Sequence, residues 1–306
     1  MATAPPSPRR HLRFSPLRVL TLAGGTFTQL VRMKSFYFLA LFAVLVIAAS
    51  FAFADLQTDG QLKLLKDVSL ASMSLFSMLF AIAGTALLIP RDIEDRTLYT
   101  ILCKPVPRLE YLLGKLLGVL FLIFIALALM DALFCLVLHF KEQDIIQQQI
   151  AVLQNRRFAT REMLEANIAA VDEAIRGQGL TWNLQSGVLA IFLKATVLTS
   201  VTLLVSTFAS STIFTMMTAL AVMVIGQAQS IARDVFLGPD ASLGPRAISG
   251  AISLLFPDLK SFDIVDAVVT GSAVPAAVLG KMFALAAAYL ILHLMAAYLI
   301  FSDKEL

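Results

Sequence analysis

Long apolar runs that carry at most one charge alternate with polar segments along the chain. A helix that crosses a bilayer needs about 20 apolar residues. Six segments meet this requirement: 35–54, 68–89, about 116–140, about 186–208, 211–232 and about 276–301. The fourth and fifth segments are nearly contiguous, so we expect them to form a tight helical hairpin. This pattern predicts an all-α, polytopic membrane protein with a six-helix transmembrane domain over residues 35–306.

The first 34 residues are basic and rich in proline, and they precede the first apolar run. Four prolines among the first 16 residues predict a disordered arm. Residues 18–34 place apolar side chains between basic ends, a pattern typical of a helix that lies at the membrane interface. The arm lacks the interleaved aromatic residues of a nucleic-acid-binding segment. We therefore expect residues 1–34 to orient the first span and to bind no nucleic acid.

Segment 141–185 carries too many charges to cross a bilayer, yet its apolar residues recur at helical spacing. These residues are Ile146, Ile150, Leu153, Leu164, Ile168, Val171 and Ile175. Steps of four and three residues are typical of the seam between two packed helices, and Gly177 and Gly179 would end the second helix. The spacing predicts a helical hairpin outside the membrane, inserted into the transmembrane domain. A helix that binds a partner is the alternative.

Composition supports the membrane class and excludes several others. Of the 306 residues, 58% are hydrophobic and 15% are charged, whereas about a quarter of a soluble domain is charged. The two cysteines, Cys103 and Cys135, cannot form a disulfide framework. Three scattered histidines give no zinc-binding pattern, and Gly114-Lys115 and Gly280-Lys281 lack the rest of a phosphate-binding loop. We expect no cofactor, no metal site and no catalytic activity in the chain alone.

The distribution of basic residues predicts the orientation in the membrane, because short cytoplasmic loops carry an excess of Lys and Arg. Segment 90–115 contains Arg91, Arg96, Lys104, Arg108 and Lys115. Segment 141–185 is also rich in basic residues, but acidic residues balance them. We predict a multi-pass protein of the cytoplasmic (inner) membrane, with both termini in the cytoplasm.

The segment between the second and third spans has the most distinctive order of residues. Charged residues open it, then Leu98, Ile101 and Leu102 give a short amphipathic helix, which Pro105 and Pro107 end. A Glu-Tyr pair and a Gly-Lys pair lead into the third span. A solvated connecting loop would account for the charges, but not for this order of parts.

At these residues the chain resembles the permease subunits of type-2 ATP-binding-cassette (ABC) exporters. The residues that match the loop of that family are Glu94, Arg96, Thr97, Ile101, Leu102, Lys104, Pro105, Val106, Arg108, Glu110, Tyr111, Gly114 and Lys115. The likeness extends more loosely to the interfacial helix, the six spans and segment 256–264. The long insertion at 141–185 departs from the compact pattern of the family.

The resemblance implies a mechanism in which the loop is a coupling helix that docks on a separate ABC ATPase subunit. Two permease subunits, identical or paralogous, would form the export pathway. On this chain the implied contact residues are Asp92, Glu94, Arg96, Thr97, Leu98, Ile101 and Leu102. The lack of a phosphate-binding loop in the sequence agrees with this division of labour. Lipids, drugs, peptides, polysaccharides and ions are all compatible with it as substrates.

Asp131 and Lys194 are ionisable residues well inside predicted spans, where each costs about 2.5–3.5 kcal/mol on insertion scales. Counting the helical rise along the two antiparallel spans places both at roughly 12–13 Å below the same membrane face. We therefore predict a structural ion pair between them. Alternatively they serve ion coupling, and the chain is a secondary transporter or channel without an ATPase. A membrane enzyme that acts on lipids is a third class, which the missing nucleophile and metal clusters disfavour.

Overall fold

The computed structural model describes residues 14–54, 60–94, 106–155, 161–179, 181–209, 211–236 and 256–303, and in these ranges the regular secondary structure is helical. The helices are α1 Pro16–Val31, α2 Lys34–Ala54, α3 Gln61–Ala86, α4 Leu88–Glu94, α5 Arg108–Gln154, α6 Arg161–Gln178, α7 Trp182–Phe208, α8 Thr212–Phe236, α9 Val265–Val269 and α10 Ala276–Asp303, with a 3₁₀ turn at Lys260–Phe262. The predicted all-α class is confirmed. Most of the predicted disordered arm, residues 1–13, lies outside the described residues.

The predicted spans correspond to the long helices of the structure. Five described segments are long and apolar enough to cross a membrane: Gln61–Asp92, Arg108–Gln154, Arg161–Phe208, Thr212–Gln229 and Ala276–Ser302. A sixth span results if the bent pair at the N-terminus is taken as one, since Pro16–Val31 and Phe36–Ser50 meet at 68°. The predicted tight connection is confirmed, because α7 ends at Phe208 and α8 begins at Thr212.

Helix α5 is much longer than the span predicted for it. It has 47 residues, from Arg108 to Gln154, and is about 70 Å long at 1.5 Å per residue. The predicted span covered only the apolar part of this helix. The helix continues beyond it because no glycine or proline interrupts residues 119–154. The first arm of the predicted hairpin is therefore the continuation of α5. Helix α6 forms the second arm and packs against α5.

Helix α7 is central in the bundle and packs against α3, α5, α8 and α10. Many of its side chains carry hydroxyl groups, and several of these bond within the helix itself. Thr196, Thr199 and Thr202 each donate to the carbonyl oxygen four residues earlier, at 2.8 Å. Because these hydroxyls are satisfied, the small side chains allow the neighbouring helices to approach α7 closely.

The bundle has two ends that can be recognised by their contacts. At the first, which we call the loop end, α4 ends, α5 begins, and Tyr111 stacks on Phe301 near the end of α10, with ring centroids 5.9 Å apart. At the second, the hairpin end, the α5–α6 pair meets the start of α3. There Lys66 Nζ donates to the carbonyl oxygen of Gln178 at 2.7 Å. The predicted coupling loop thus belongs to the loop end.

Candidate functional site at the loop end

The predicted coupling loop connects α4 to α5. Its central part, residues 95–105, lies outside the described residues, and of Glu94 only the backbone is described, as the last residue of α4. The predicted contact residues in that part are Arg96, Thr97, Leu98, Ile101 and Leu102. The structure describes the two ends on which the loop stands: Asp92 on α4, and residues 106–115 at the start of α5.

Glu110 binds the N-terminus of α1. Its side chain is fully buried, and its two oxygens accept hydrogen bonds from the Arg18 guanidinium at 2.7 and 2.9 Å. The backbone N–H of Ser15, the residue before α1, donates to the same carboxylate at 2.8 Å. The cation and the helix N-terminus together compensate the buried negative charge. Glu110 therefore fixes the start of α1 on α5.

Asp92 joins α4 to α5. Its carboxylate is buried, and Oδ2 accepts a hydrogen bond from Tyr111 Oη at 2.7 Å and lies 2.6 Å from Lys115 Nζ. Lys115 also donates to Gln29 Oε1 on α1 at 3.3 Å. The resemblance grouped Asp92 with the ATPase contacts, but its side chain faces the bundle and bonds within the chain. It anchors the loop from inside.

Arg108 joins the start of α5 to the end of α10. Its Nη1 donates to the carbonyl oxygens of Phe301 and Ser302. The guanidinium also lies over the Phe301 ring, 5.7 Å from its centroid. A cation that binds the last carbonyl groups of a helix is favourable, because these groups have no partner within the helix and carry its negative pole.

Two glycines let α1 lie directly on α5. A Cβ atom added at Gly114 would be 2.5 Å from Leu22 Cβ, and one added at Gly118 would be 2.6 Å from Thr26 Cβ. Cβ atoms essentially never approach other atoms so closely, so a larger residue at either position requires α1 to move away from α5. The four-residue spacing of the two glycines forms a flat strip on α5, as in closely packed membrane helices.

We call the five polar side chains at the two ends of the loop the loop-base network: Asp92, Arg108, Glu110, Tyr111 and Lys115. Four of them were noted in the sequence as part of the resemblance, but their partners were not predicted. Arg18 and Phe301 are each more than 90 residues away from the loop-base residue that they bind, and nothing local marks them. The network links α1, α4, α5 and α10, and among the described residues no group of side chains could hold a metal ion.

Asp131 lies where α5 meets the first turns of α7. Its Oδ1 accepts a hydrogen bond from Gln185 Nε2 at 3.4 Å and one from Cys135 Sγ at 3.8 Å. The residue is partly exposed. Among the described residues no cation forms an ion pair with it.

Lys194 lies inside the bundle and is only 5% exposed. The charges of Asp263 and Lys260 act on it from segment 256–264, and these two residues form an ion pair with each other at 2.9 Å. Lys194 therefore lies within electrostatic range of this segment.

Segment 256–264 lies inside the bundle, against α8 and α10. The backbone N–H of Leu259 donates to the carbonyl oxygen of Gly226 on α8 at 3.1 Å, and that of Asp258 donates to Tyr289 Oη on α10 at 3.4 Å. Tyr289 lies 13 residues after the start of α10, about 20 Å along its axis. Non-helical backbone occurs at such depth in membrane proteins where protein buries it or where it lines a water-filled cavity.

The predicted ion pair between Asp131 and Lys194 is not formed. Asp131 meets Gln185, and Lys194 lies nine residues farther along α7, a rise of about 14 Å. Nine residues are also two and a half helical turns, so the two side chains of α7 point to opposite sides. The depth count took the ends of the two apolar segments as the same membrane face. Both helices continue beyond these segments, and the contact of Asp131 with Gln185 shows that the segment ends are not level with each other.

Comparisons with protein-family models and with curated proteins gave no significant match. The resemblance to ABC permeases thus stands on the residues of the loop and remains a prediction.

Proposed function

We propose that this chain is the permease subunit of a type-2 ABC exporter. It forms the transmembrane pathway with a second permease subunit, and the loop over residues 91–115 binds an ABC ATPase subunit. The protein resides in the inner (cytoplasmic) membrane, with the loop end and both termini in the cytoplasm. ATP is hydrolysed in the partner subunit, so the chain itself is not an enzyme and requires no cofactor.

The loop-base network is the observation that carries this proposal. A loop that merely connects two spans needs no anchor beyond its own flanking helices. This loop stands on side chains that reach α1 through Glu110, α4 through Asp92 and α10 through Arg108. The pair of Asp92 and Lys115 is buried on both sides, and removing one partner of such a pair costs about 3–5 kcal/mol, so this contact resists separation. A force on the loop would move the four helices together.

The length of α5 supports the same proposal. Its 47 residues form one unbroken helix, which transmits displacement without the loss that a flexible joint would cause. A push at Arg108 would therefore be felt about 70 Å away, where α5 packs against α6. Coupling between an ATPase at one end and a gate at the other requires such a connection.

Co-purification tests the proposal. The full chain, tagged at the C-terminus, is purified from native membranes in a mild detergent, and the bound proteins are identified by mass spectrometry and assayed for ATP hydrolysis. Glu94→Lys combined with Arg96→Glu reverses the charges of the predicted contact. We expect an ABC ATPase to co-purify with the native chain and to be lost from this double variant.

A matched charge reversal at the hairpin end is the control. Arg161 and Glu165 form an ion pair at 3.3 Å and are 91% and 69% exposed, so Arg161→Glu with Glu165→Lys makes the same kind of change away from the loop. This variant should retain the ATPase. Undiminished ATPase with the Glu94 and Arg96 variant, or none with the native chain, would refute the proposal.

An ion-coupled carrier is the second candidate. The observation in its favour is that Asp131 and Lys194, two ionisable groups inside apolar helices, do not form an ion pair with each other. Reconstitution of the purified chain alone into proteoliposomes distinguishes the candidates. Transport driven by a proton or sodium gradient, without ATP, would favour the carrier.

A further inference from the structure

A groove runs between α5 and α7 at the level of Asp131. Its volume is about 250 Å³, slightly below the range of about 300–1,000 Å³ typical of sites for drug-sized ligands. Asp131 and Gln185 meet at one end. At the other end Phe124 and Phe192 form an edge-to-face pair with ring centroids 5.7 Å apart. The groove thus has one polar end and one aromatic end.

The antiparallel arrangement of the two helices produces this polarity. Phe124 and Asp131 are seven residues apart on α5, as are Gln185 and Phe192 on α7, so each pair lies on one side of its helix about 10 Å apart. Between the two ends the lining is aliphatic, with Leu127 and Ala128 from α5 and Val188 and Leu189 from α7. The groove is long and narrow, and only its Asp131 end is charged.

The groove opens to the outer surface of this chain. Phe124 is 55% exposed and Leu189 is 42% exposed, although both belong to segments apolar enough to cross a membrane. A molecule dissolved in the hydrocarbon of the bilayer could enter between these side chains without passing through water. Its apolar part would remain in apolar surroundings throughout.

The two carboxylate oxygens of Asp131 differ in their contacts. Both hydrogen bonds, from Gln185 and from Cys135, are made to Oδ1, and Oδ2 has no hydrogen-bond partner among the described residues. A negative charge inside a transmembrane segment almost always pairs with another group or faces water. Lys194 points to the other side of α7, and among the described residues no other cation pairs with Asp131, so its Oδ2 is open to a positive group that enters the groove.

We propose that this groove is a binding site for lipophilic amines taken up from the bilayer. The ammonium group donates to Asp131 Oδ2, and the apolar body lies along the aliphatic lining toward Phe124 and Phe192. A carboxylate repels anionic amphiphiles and gives neutral ones no ionic partner, so charge selects the cation. Lipophilic amines would then be a class of substrate for the export pathway. This extension from binding to export rests on the proposed function.

Equilibrium binding to the purified full chain in lipid nanodiscs tests the site, with three probes that share one body: 4-phenylbutylamine, 4-phenylbutanol and 4-phenylbutanoate. Binding is measured by competition against the tritiated amine. We expect the amine to bind about tenfold or more tightly than the alcohol, because only the amine forms an ion pair, and the acid to bind least. Asp131→Asn should remove the preference for the amine, whereas Glu165→Gln, at an exposed carboxylate of α6, should keep it.

A second pair of variants tests the apolar part of the groove. Ala128→Phe places a ring in the groove and should abolish amine binding, whereas Leu129→Phe, at a residue 68% exposed and outside the groove, should not. Equal binding of amine and alcohol to the native chain would overturn the proposal. So would the finding that Ala128→Phe splits a dimer while amine binding is unchanged, since a second copy would then occupy the groove. No ATPase is present in this assay, so its outcome is independent of the co-purification test.

Discussion

Gly118→Ala should loosen α1 from α5, although the substitution adds only one methyl group. The new Cβ would lie 2.6 Å from Thr26 Cβ and 2.7 Å from the carbonyl oxygen of Ala23. Ordinary contact begins at 3.4 Å, so α1 has to move away by about 0.8 Å. Neither neighbour can rotate out of the way, because one is a Cβ atom and the other belongs to the backbone.

Two opposing terms set the size of this effect. Alanine is favoured over glycine within a helix by about 0.5–1 kcal/mol, whereas overpacking typically costs about 1–3 kcal/mol. At the midpoints of these two ranges the clash outweighs the gain by about 1 kcal/mol, which for a chain of this size lowers the melting temperature by roughly 2–4 °C. The displacement also weakens the bonds from Arg18 to Glu110, since these bonds are 2.7 and 2.9 Å long at the start of the same helix.

Thermal unfolding of the detergent-solubilised chain, followed by fluorescence-detected size exclusion, measures the change. Gly280→Ala is the matched control, because Gly280 is also helical and a Cβ atom there has no neighbour within 4 Å. That variant should melt at the native temperature or slightly above it. If Gly118→Ala proves as stable as Gly280→Ala, the close packing of α1 on α5 is wrong.

Two further predictions concern single polar groups. Tyr111→Phe removes the hydrogen bond to Asp92 while keeping the aromatic ring in place, and we expect a loss of about 1–2 kcal/mol, seen as a lower melting temperature in the same assay. Asp131→Asn and Lys194→Met should act independently, so the loss of folded protein in the double variant should equal the two single losses combined. A higher yield in the double variant than in either single variant would show that the two residues do form an ion pair.

The sequence predicted the helices better than it predicted their mutual arrangement. The spans were found because an apolar run of about 20 residues with at most one charge is rare outside membrane-spanning helices. Where α5 continues beyond Phe140, its side chains become polar while the helix goes on, so the end of the apolar run was mistaken for the start of a separate hairpin helix. The polarity of a segment indicates whether its surroundings are lipid or water, whereas the end of a helix is indicated by residues that interrupt it, such as glycine and proline.

The candidate site was found in part. Arg108, Glu110 and Tyr111 were noted because their order along the chain resembles the loop of the permease family, but no local pattern assigns them partners, since each binds a residue brought near by the fold. The pairing of Asp131 with Lys194 failed for a related reason. Depth along an axis can be counted from a sequence, whereas the direction in which a side chain points depends on how the neighbouring helix is shifted and rotated.

The unbroken course of α5 constrains how the length of this chain can change. Each residue turns a helix by about 100°, so a deletion between residues 119 and 140 rotates everything beyond it as well as drawing it closer. Loss of two residues would turn the α6-packing surface by about 200°, away from its partner, whereas loss of seven would turn it by only roughly 20°. Length variants that keep α6 packed on α5 should therefore differ by seven or eleven residues, because only such changes leave the packing surface facing nearly the same direction.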